Sequence, residues 1–327
     1  MINTEQNYLA EEIASNNAVL FVGAGFSLNA VPIHDHVVSS FKDWTGFMLQ
    51  LAGKLWEHDA FNKKELLSKI AGDYLYVTQL FIERFGYTQF YKEFLEAVPT
   101  QEYQPSDLHR SLLGLPWTEY VTTNQDDLIE KTMKQLNVPY HCVVQDLDLS
   151  TSLNKKIIKM HGTWERPESL IFSEEDYQNY EEEHPLIALK VKQLFAEKTV
   201  FFVGFSLKDT NFKALHRWIQ NILGKHQKRA YAYIPNADEY IKTYWRQRNL
   251  IILSDEVNGN DTDEWKYNYQ AKLTNRIHQL SDYISILSAR RNIDGDTKKN
   301  YERIKHLVIN EGLRREHRIW IEQWRRE

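Results

Sequence analysis

Cysteine is almost absent from this chain, with Cys142 alone in 327 residues. One thiol excludes an internal disulfide framework and any zinc site built from several thiolates. A large excess of one charge is missing too: 40 Lys and Arg against 45 Asp and Glu give a net charge of -5 and a pI near 6.2. That balance lacks the basic surplus by which proteins usually hold nucleic acid, so any such contact is expected to be local or indirect. No apolar run reaches the roughly 20 residues that a spanning helix needs, and the opening "MINTEQNYLAEEIASNN" has neither the basic start nor the apolar core of a secretory leader. These absences predict a cytoplasmic address and no membrane partner. The hydrophobic content of 42% and the charged content of 26% are those of a folded protein with a substantial core.

Short β-branched and aromatic runs predict buried strands at "AVLFVG" (18–23), "EYVTTN" (119–124), "KIIKMHG" (156–162), "TVFFVGFS" (199–206), "RAYAYIP" (229–235) and "LIILSD" (250–255). Between them lie stretches with helical spacing, such as Phe212, Leu215, Ile219 and Ile222. Strands alternating with helices predict an α/β fold, a Rossmann-like and mainly parallel sheet with helices on both faces. Residues 41–113 carry aromatics at helical spacing and no convincing strand, which predicts a helical insertion after the first strand, placed to roof the sheet's active edge. The turn-forming and acidic stretch "SDEVNGNDTDEW" (254–265) marks the end of the catalytic unit, giving a domain over 1–255 and a helical extension over 256–327.

The chemistry-bearing residues fall where predicted strands end. "VLFVGAGFSLNA" (19–30) runs from a strand through Gly23, Ala24 and Gly25 to Ser27 and a helix start. Glycines there permit positive backbone dihedrals and close approach of a ligand, and a helix start favours a pyrophosphate. The full dinucleotide fingerprint wants a small residue where Leu28 stands, so the ordinary dehydrogenase pattern is incomplete. By itself the turn is equally a common structural device. Asn124 and Asp126 follow the second strand, His161 the third, and Gly204 and Ser206 the fourth. Open α/β sheets bind ligands at such carboxyl ends. Each residue also has a plainer reading: Asn124 and Asp126 as caps of the helix beginning near Asp127, His161 as a satisfied core histidine, Ser206 as a turn hydroxyl. The acids Glu174, Glu175, Asp176 and Glu181–Glu183 read as a solvated face, and His34, Asp35 and His36 as a surface loop. No metal site is predicted.

In order and spacing these motifs resemble the sirtuin superfamily. "GAGFS" resembles its GAGxS loop, "TTNQD" its TQNxD, His161–Gly162 its catalytic histidine-glycine pair, and "GFSL" (204–207) its GTSL. The resemblance runs from about Val19 to Asp255. It departs in two places: the four-cysteine zinc module of deacylating sirtuins has no counterpart, and "AVPIHDH" keeps only Pro32 of the arginine-bearing GIPDFR segment, with "FKDW" ending at Trp44 taking part of its place. Both departures are similar to the bacterial sirtuin-like branch, whose members hydrolyse NAD as antiphage effectors.

That resemblance implies hydrolysis of NAD+ to nicotinamide and ADP-ribose, in abortive-infection defence. Gly23, Ala24, Gly25 and Ser27 would grip the pyrophosphate, Asp126 the nicotinamide, and Gly204 and Ser206 the adenosine half. Asn124 would position ribose or water, with His161 as general base because imidazole titrates near neutrality. Protein ADP-ribosylation, deacylation, a non-catalytic NAD or ADP-ribose sensor and a cyclised product stay open as alternatives. The tail carries Leu313, Trp320 and Trp324 on one helical face and nine Lys or Arg against five Glu from Thr297 onward. An indole stripe of this kind packs on its own domain or docks a neighbour. Since an ungated NADase would kill its host, the reading includes gating by homo-oligomerisation or by a separate partner such as a HerA-type ATPase.

Overall fold

Strand β1 (Ala18–Val22) is apolar at every position because both of its faces are covered. Ala18, Leu20 and Val22 enter one hydrophobic core and Val19 and Phe21 the other, the two-residue alternation of an extended chain. This is a computed structural model; it describes residues 4–34, 41–59, 61–70, 73–150, 155–205, 207 and 210–291. Asp35, His36, Ser206, Leu313, Trp320 and Trp324 lie outside the described residues.

The other strands are β2 (Val31–Pro32), β3 (Tyr103–Gln104), β4 (Tyr120–Thr122), β5 (His141–Val143), β6 (Lys156–Lys159), β7 (Thr199–Val203), β8 (Ala230–Tyr233) and β9 (Leu250–Leu253). Seven of them form one sheet in the order β5-β6-β4-β1-β7-β8-β9, with every pairing parallel. The six strands expected from the sequence are all present. Strand β5 was not anticipated, nor was the short antiparallel pair of β2 with β3, which puts two strand residues inside the expected helical insertion.

From β1 the chain passes to β4, crosses to the sheet edge for β5 and fills the place between them with β6, then returns to the other side of β1 for β7, β8 and β9. The reversal makes the carboxyl ends of β1 and β7 a topological switch point, where open α/β sheets form a crevice. Register keeps the neighbouring ends level, with Val22 opposite Thr122 on one side and Val203 on the other. Helices cover both faces. Thr4–Ala14, Asp107–Leu113 and Thr262–Arg291 pack on one, and Pro185–Glu197, Thr210–Leu223 and Glu239–Arg246 on the other. Within Thr210–Leu223, Phe212 and Ile219 are buried while Ile222 is 60% exposed, so the apolar stripe ends before its last predicted member.

Residues 44–97 form four helices around a core of their own, in which Phe47, Phe90 and Phe94 pack on Phe172. Tyr87 and Tyr91 donate hydrogen bonds to the carbonyls of Pro167 and Trp164. The insertion is thereby anchored to the chain leaving β6. Helix Thr262–Arg291 contributes Leu273, Ile277 and Leu280 to the same core as Leu9, Ala10 and Ile13 of the first helix. Among the described residues, no helix is long and apolar enough to cross a membrane.

Candidate functional site

The chain leaves β1 through Gly23 into the one-turn helix Ala24–Ser27. Gly23 N donates to Val203 O at 3.0 Å and Gly25 N to Gly204 O at 2.9 Å, so the turn after β1 is seated on the turn after β7. A Cβ on Gly23 would lie 2.4 Å from Gly204 O, and one on Gly204 only 2.2 Å from Phe26 N. Of the three glycines Gly204 alone has a positive φ, +65°. This corrects the expectation of positive dihedrals at 23 and 25: Gly23 is extended (φ -111°, ψ 172°) and leads straight into a helix. What the turn needs from its glycines is the missing side chain, so that two backbones can touch.

Ser27, Asn124 and Asp126 meet beside this turn. Asn124 Nδ2 donates to Ser27 Oγ at 2.9 Å, and Ser27 Oγ donates to Asp126 Oδ2 at 2.6 Å. All three side chains are buried. The strand ends are locked by Thr122, whose hydroxyl donates to Val22 O at 2.8 Å and accepts from Asn124 N at 2.9 Å. Asp126 Oδ1 also accepts from Leu128 N at 3.1 Å, so Asp126 caps the following helix and joins the knot at once. Burial raises the Asp126 pKa, against the opposing pull of the Lys159 ammonium and the hydrogen bond from Ser27. Asn124 Oδ1 and Gln125 Nε2 are buried without a hydrogen-bond partner among the described residues. Unpaired buried amide atoms are costly, and at a strand end beside a cleft they are placed to take a water or a ligand group.

These residues line a narrow cleft of roughly 30 Å³ whose walls are Ala24, Ser27, Thr123, Asn124, Gln125 and Asp126 and whose roof is Phe41, Lys42, Trp44 and Val98 of the insertion. The insertion therefore covers the carboxyl ends of β1 and β4, with "FKDW" beside Asn124. Val98 and Gln125 carried no signal in the sequence. A larger cavity, bordered by Leu55, Trp56, Leu80, Glu83 and Arg84, lies among the insertion's helices away from this knot.

His161 follows β6, the neighbour of β4, and does not line the same cleft. Its imidazole is buried beside Tyr177, whose hydroxyl is 3.4 Å from Nδ1, and faces Tyr180 edge-on. Burial pushes it down to about 4, well below the near-neutral titration expected from the sequence. Gly162 has φ +77°, and a Cβ there would lie 2.0 Å from Ser169 O, so this position tolerates only glycine. Among the described residues no cluster of three or more His, Cys, Asp or Glu could hold a metal ion.

One further group went unread. Lys159, at the end of β6, is only 1% exposed, and its ammonium donates to Asp126 O, to Glu130 Oε1 at 2.8 Å and to Thr163 Oγ1 at 3.4 Å. Burial disfavours the cation, but Glu130, Cys142 and Asp126 outweigh that and raise its pKa. Cys142 Sγ lies 3.6 Å from the same Glu130 oxygen, and burial lifts its thiol to about 12.

A doubly wound parallel sheet with a polar knot at its switch point defines a Rossmann-like α/β protein. Within that class, residues 118–253 match the family model of the SIR2-like domain, a stretch that takes in the Asn124 loop, the His161 turn and β7 to β9. Among curated proteins it is 25% identical over 237 residues to an NAD(+) hydrolase ThsA of Cytobacillus dafuensis, covering 70% of this chain and 44% of that one. A ThsA of Enterococcus faecium is 25% identical over 285 residues, covering 84% and 51%. Defense-associated sirtuin 2 of Bacillus subtilis is 24% identical over 222 residues, covering 65% and 20%. The chain thus spans about half or less of the length of these relatives.

Proposed function

We propose that the cleft binds NAD+ and that the chain hydrolyses it to nicotinamide and ADP-ribose, depleting NAD as a toxic effector of antiphage defence. The observation that carries this reading is the Ser27–Asn124–Asp126 knot, held at the switch point of a SIR2-like domain with two unpartnered amide atoms beside it. The named activity of the ThsA relatives supports it.

The reaction needs positioning more than acid. As the bond between nicotinamide nitrogen and ribose C1′ breaks, its electron pair leaves with a neutral nicotinamide and C1′ gains oxocarbenium character. Water then bonds to C1′ and loses a proton. Asn124 Oδ1 is the acceptor that would hold the attacking water or a ribose hydroxyl, and Asp126 lies where the nicotinamide would sit. His161, neutral at physiological pH, takes the proton once substrate and the Tyr177 side open toward it. Ala24 and Ser27 line the phosphate end. The amides of Gly23 and Gly25 are engaged with β7 and its turn, and their missing side chains face Gly204; the glycines serve by seating the turn so that Ala24 and Ser27 front the cleft. Ser206 completes the adenosine side in this reading. A gate is part of it, through self-association or a separate partner protein, because unrestrained NAD loss is lethal to the producing cell.

Incubating the protein with NAD+ over a range of protein concentrations and separating the products tests this directly. Nicotinamide and ADP-ribose in equal amounts are expected from the parent, and neither from Asn124→Ala or His161→Ala. Bound but unconsumed NAD+ at every concentration, with or without its neighbouring gene products, would replace hydrolysis by sensing.

A further inference from the structure

The hydrogen bonds around Ser27 have a fixed direction. A serine hydroxyl has one proton, and an ionised carboxylate only accepts, so Ser27 Oγ–H points to Asp126 Oδ2. The lone pairs left on Oγ demand a donor, which Asn124 supplies with its Nδ2. The amide is thereby oriented nitrogen-inward, and Oδ1 is the atom left unpartnered at the cleft. If Asp126 took a proton the chain could run backwards: Asp126 would donate to Ser27, Ser27 would donate to Asn124 Oδ1, and the amide would present its NH₂ instead.

Lys159 stands behind this chain. Its ammonium bonds the carbonyl of Asp126 itself and pairs with Glu130, on the helix that Asp126 caps. We propose that Lys159 is a positioning residue, which acts through Asp126 and Ser27 to fix the Asn124 carboxamide with its oxygen toward the cleft. The Lys159–Glu130 pair ties the end of β6 to the helix Leu128–Gln135, and the bond from Lys159 to Asp126 O ties it to the loop after β4. The ionisable groups bearing on Asp126 are Lys159 from β6 and Glu130 from the helix; those bearing on Lys159 are Glu130, Cys142 from β5 and Asp126. Glu130 opposes ionisation of Asp126, so Lys159 supplies the charge that holds the carboxylate.

This inference deepens the NAD-hydrolase reading, and its test separates the two. Removing one member of a buried ion pair strands the other, whereas replacing both by apolar residues of similar size is often neutral for stability. The informative protein is therefore the double variant Lys159→Met/Glu130→Leu, with Lys159→Met alone beside it. The single variant is expected to melt earlier and the double variant close to the parent. Titration of the Asp126 carboxyl by carbon-13 NMR, which needs no turnover, is expected to show its midpoint at least one pH unit higher in the double variant. With NAD+, kcat at neutral pH should fall roughly 10- to 100-fold in that variant while KM stays within about threefold, and activity should recover as pH rises. An Asp126 midpoint unchanged in a well-folded double variant, or full kcat retained by it, would overturn the role of Lys159. A parent that shows the NMR difference but never consumes NAD+ would instead overturn the hydrolase reading and leave the positioning role standing.

Discussion

Ser27 Oγ and Asp126 Oδ2 stand 2.6 Å apart across 99 residues of sequence, and that hydroxyl also accepts the amide of Asn124. One side chain of the glycine turn thus organises the loop after β4. Ser27→Ala strands a buried carboxylate and a buried amide together. A loss of about 1–3 kcal/mol in denaturant unfolding is expected, with a larger fall in NAD+ hydrolysis than stability alone would cause. Equal hydrolysis by parent and variant would remove Ser27 from the site.

Glycines in this fold are not interchangeable. Gly23→Ala forces a methyl to 2.4 Å from Gly204 O and is expected to cost at least about 3 kcal/mol. Gly53→Ala, inside helix Trp44–Leu55 with nothing within 4 Å of the new methyl, is expected to stabilise by about 0.5–1 kcal/mol. Chemical denaturation of both variants checks the sign as well as the size.

If His161 is the base of the proposed hydrolysis, its pKa sets the acid limb of activity. A base works deprotonated, and burial holds this imidazole near 4 where a free one titrates near 6.5. The kcat/KM profile for NAD+ is therefore expected to stay flat down through pH 6 and to fall only nearer 5 to 4. A midpoint at 6.5 would mean that the imidazole is hydrated in the working enzyme.

Stability has a matching dependence on acid. The folded-state pKa values of His161 and His109 are depressed, to about 4 and about 3, chiefly by burial. Their contribution is complete above the unfolded value near 6.5 and is lost as pH falls toward those folded values. Melting temperature is expected to decline from pH 6.5 downward, and His109→Gln to shallow that slope.

Helix Thr262–Arg291 belongs to the core that it covers. Leu273 is fully buried against the first helix's face of the sheet, so Leu273→Ala should cost about 2–5 kcal/mol. NAD+ hydrolysis per folded molecule should be unaffected, which urea titration and assay together would decide.

Much of this was legible in the sequence because fully buried parallel strands are written as continuous apolar runs. "AVLFV" and "TVFFV" could hardly be anything else, and their ends marked Gly23 and Gly204. Strand β5 escaped because it is three residues long, His141–Val143, half-buried and with a polar first member. Lys159 escaped for a different reason. A lysine in a strand reads as solvent-facing, and its neutraliser Glu130 lies 29 residues earlier on a helix, so that only the packing of that helix on the sheet brings them together. The dihedrals of Gly23 and Gly25 were misjudged because a glycine pattern signals either a left-handed turn or a close approach, and the partner surface that decides between them comes from Gly204, 179 residues after Gly25.

The contact between the two turns makes Gly23 and Gly204 a single steric unit. A methyl at Gly23 meets the Gly204 carbonyl and one at Gly204 meets the backbone of Phe26, so either pushes the same two turns apart and the second costs less in steric terms than the first, while the positive φ of Gly204 keeps its own strain. Their energies are then strongly non-additive, in the manner of residues that share one space. For a lineage changing by single steps, each glycine guards the other, and both are held in place even where neither touches a ligand.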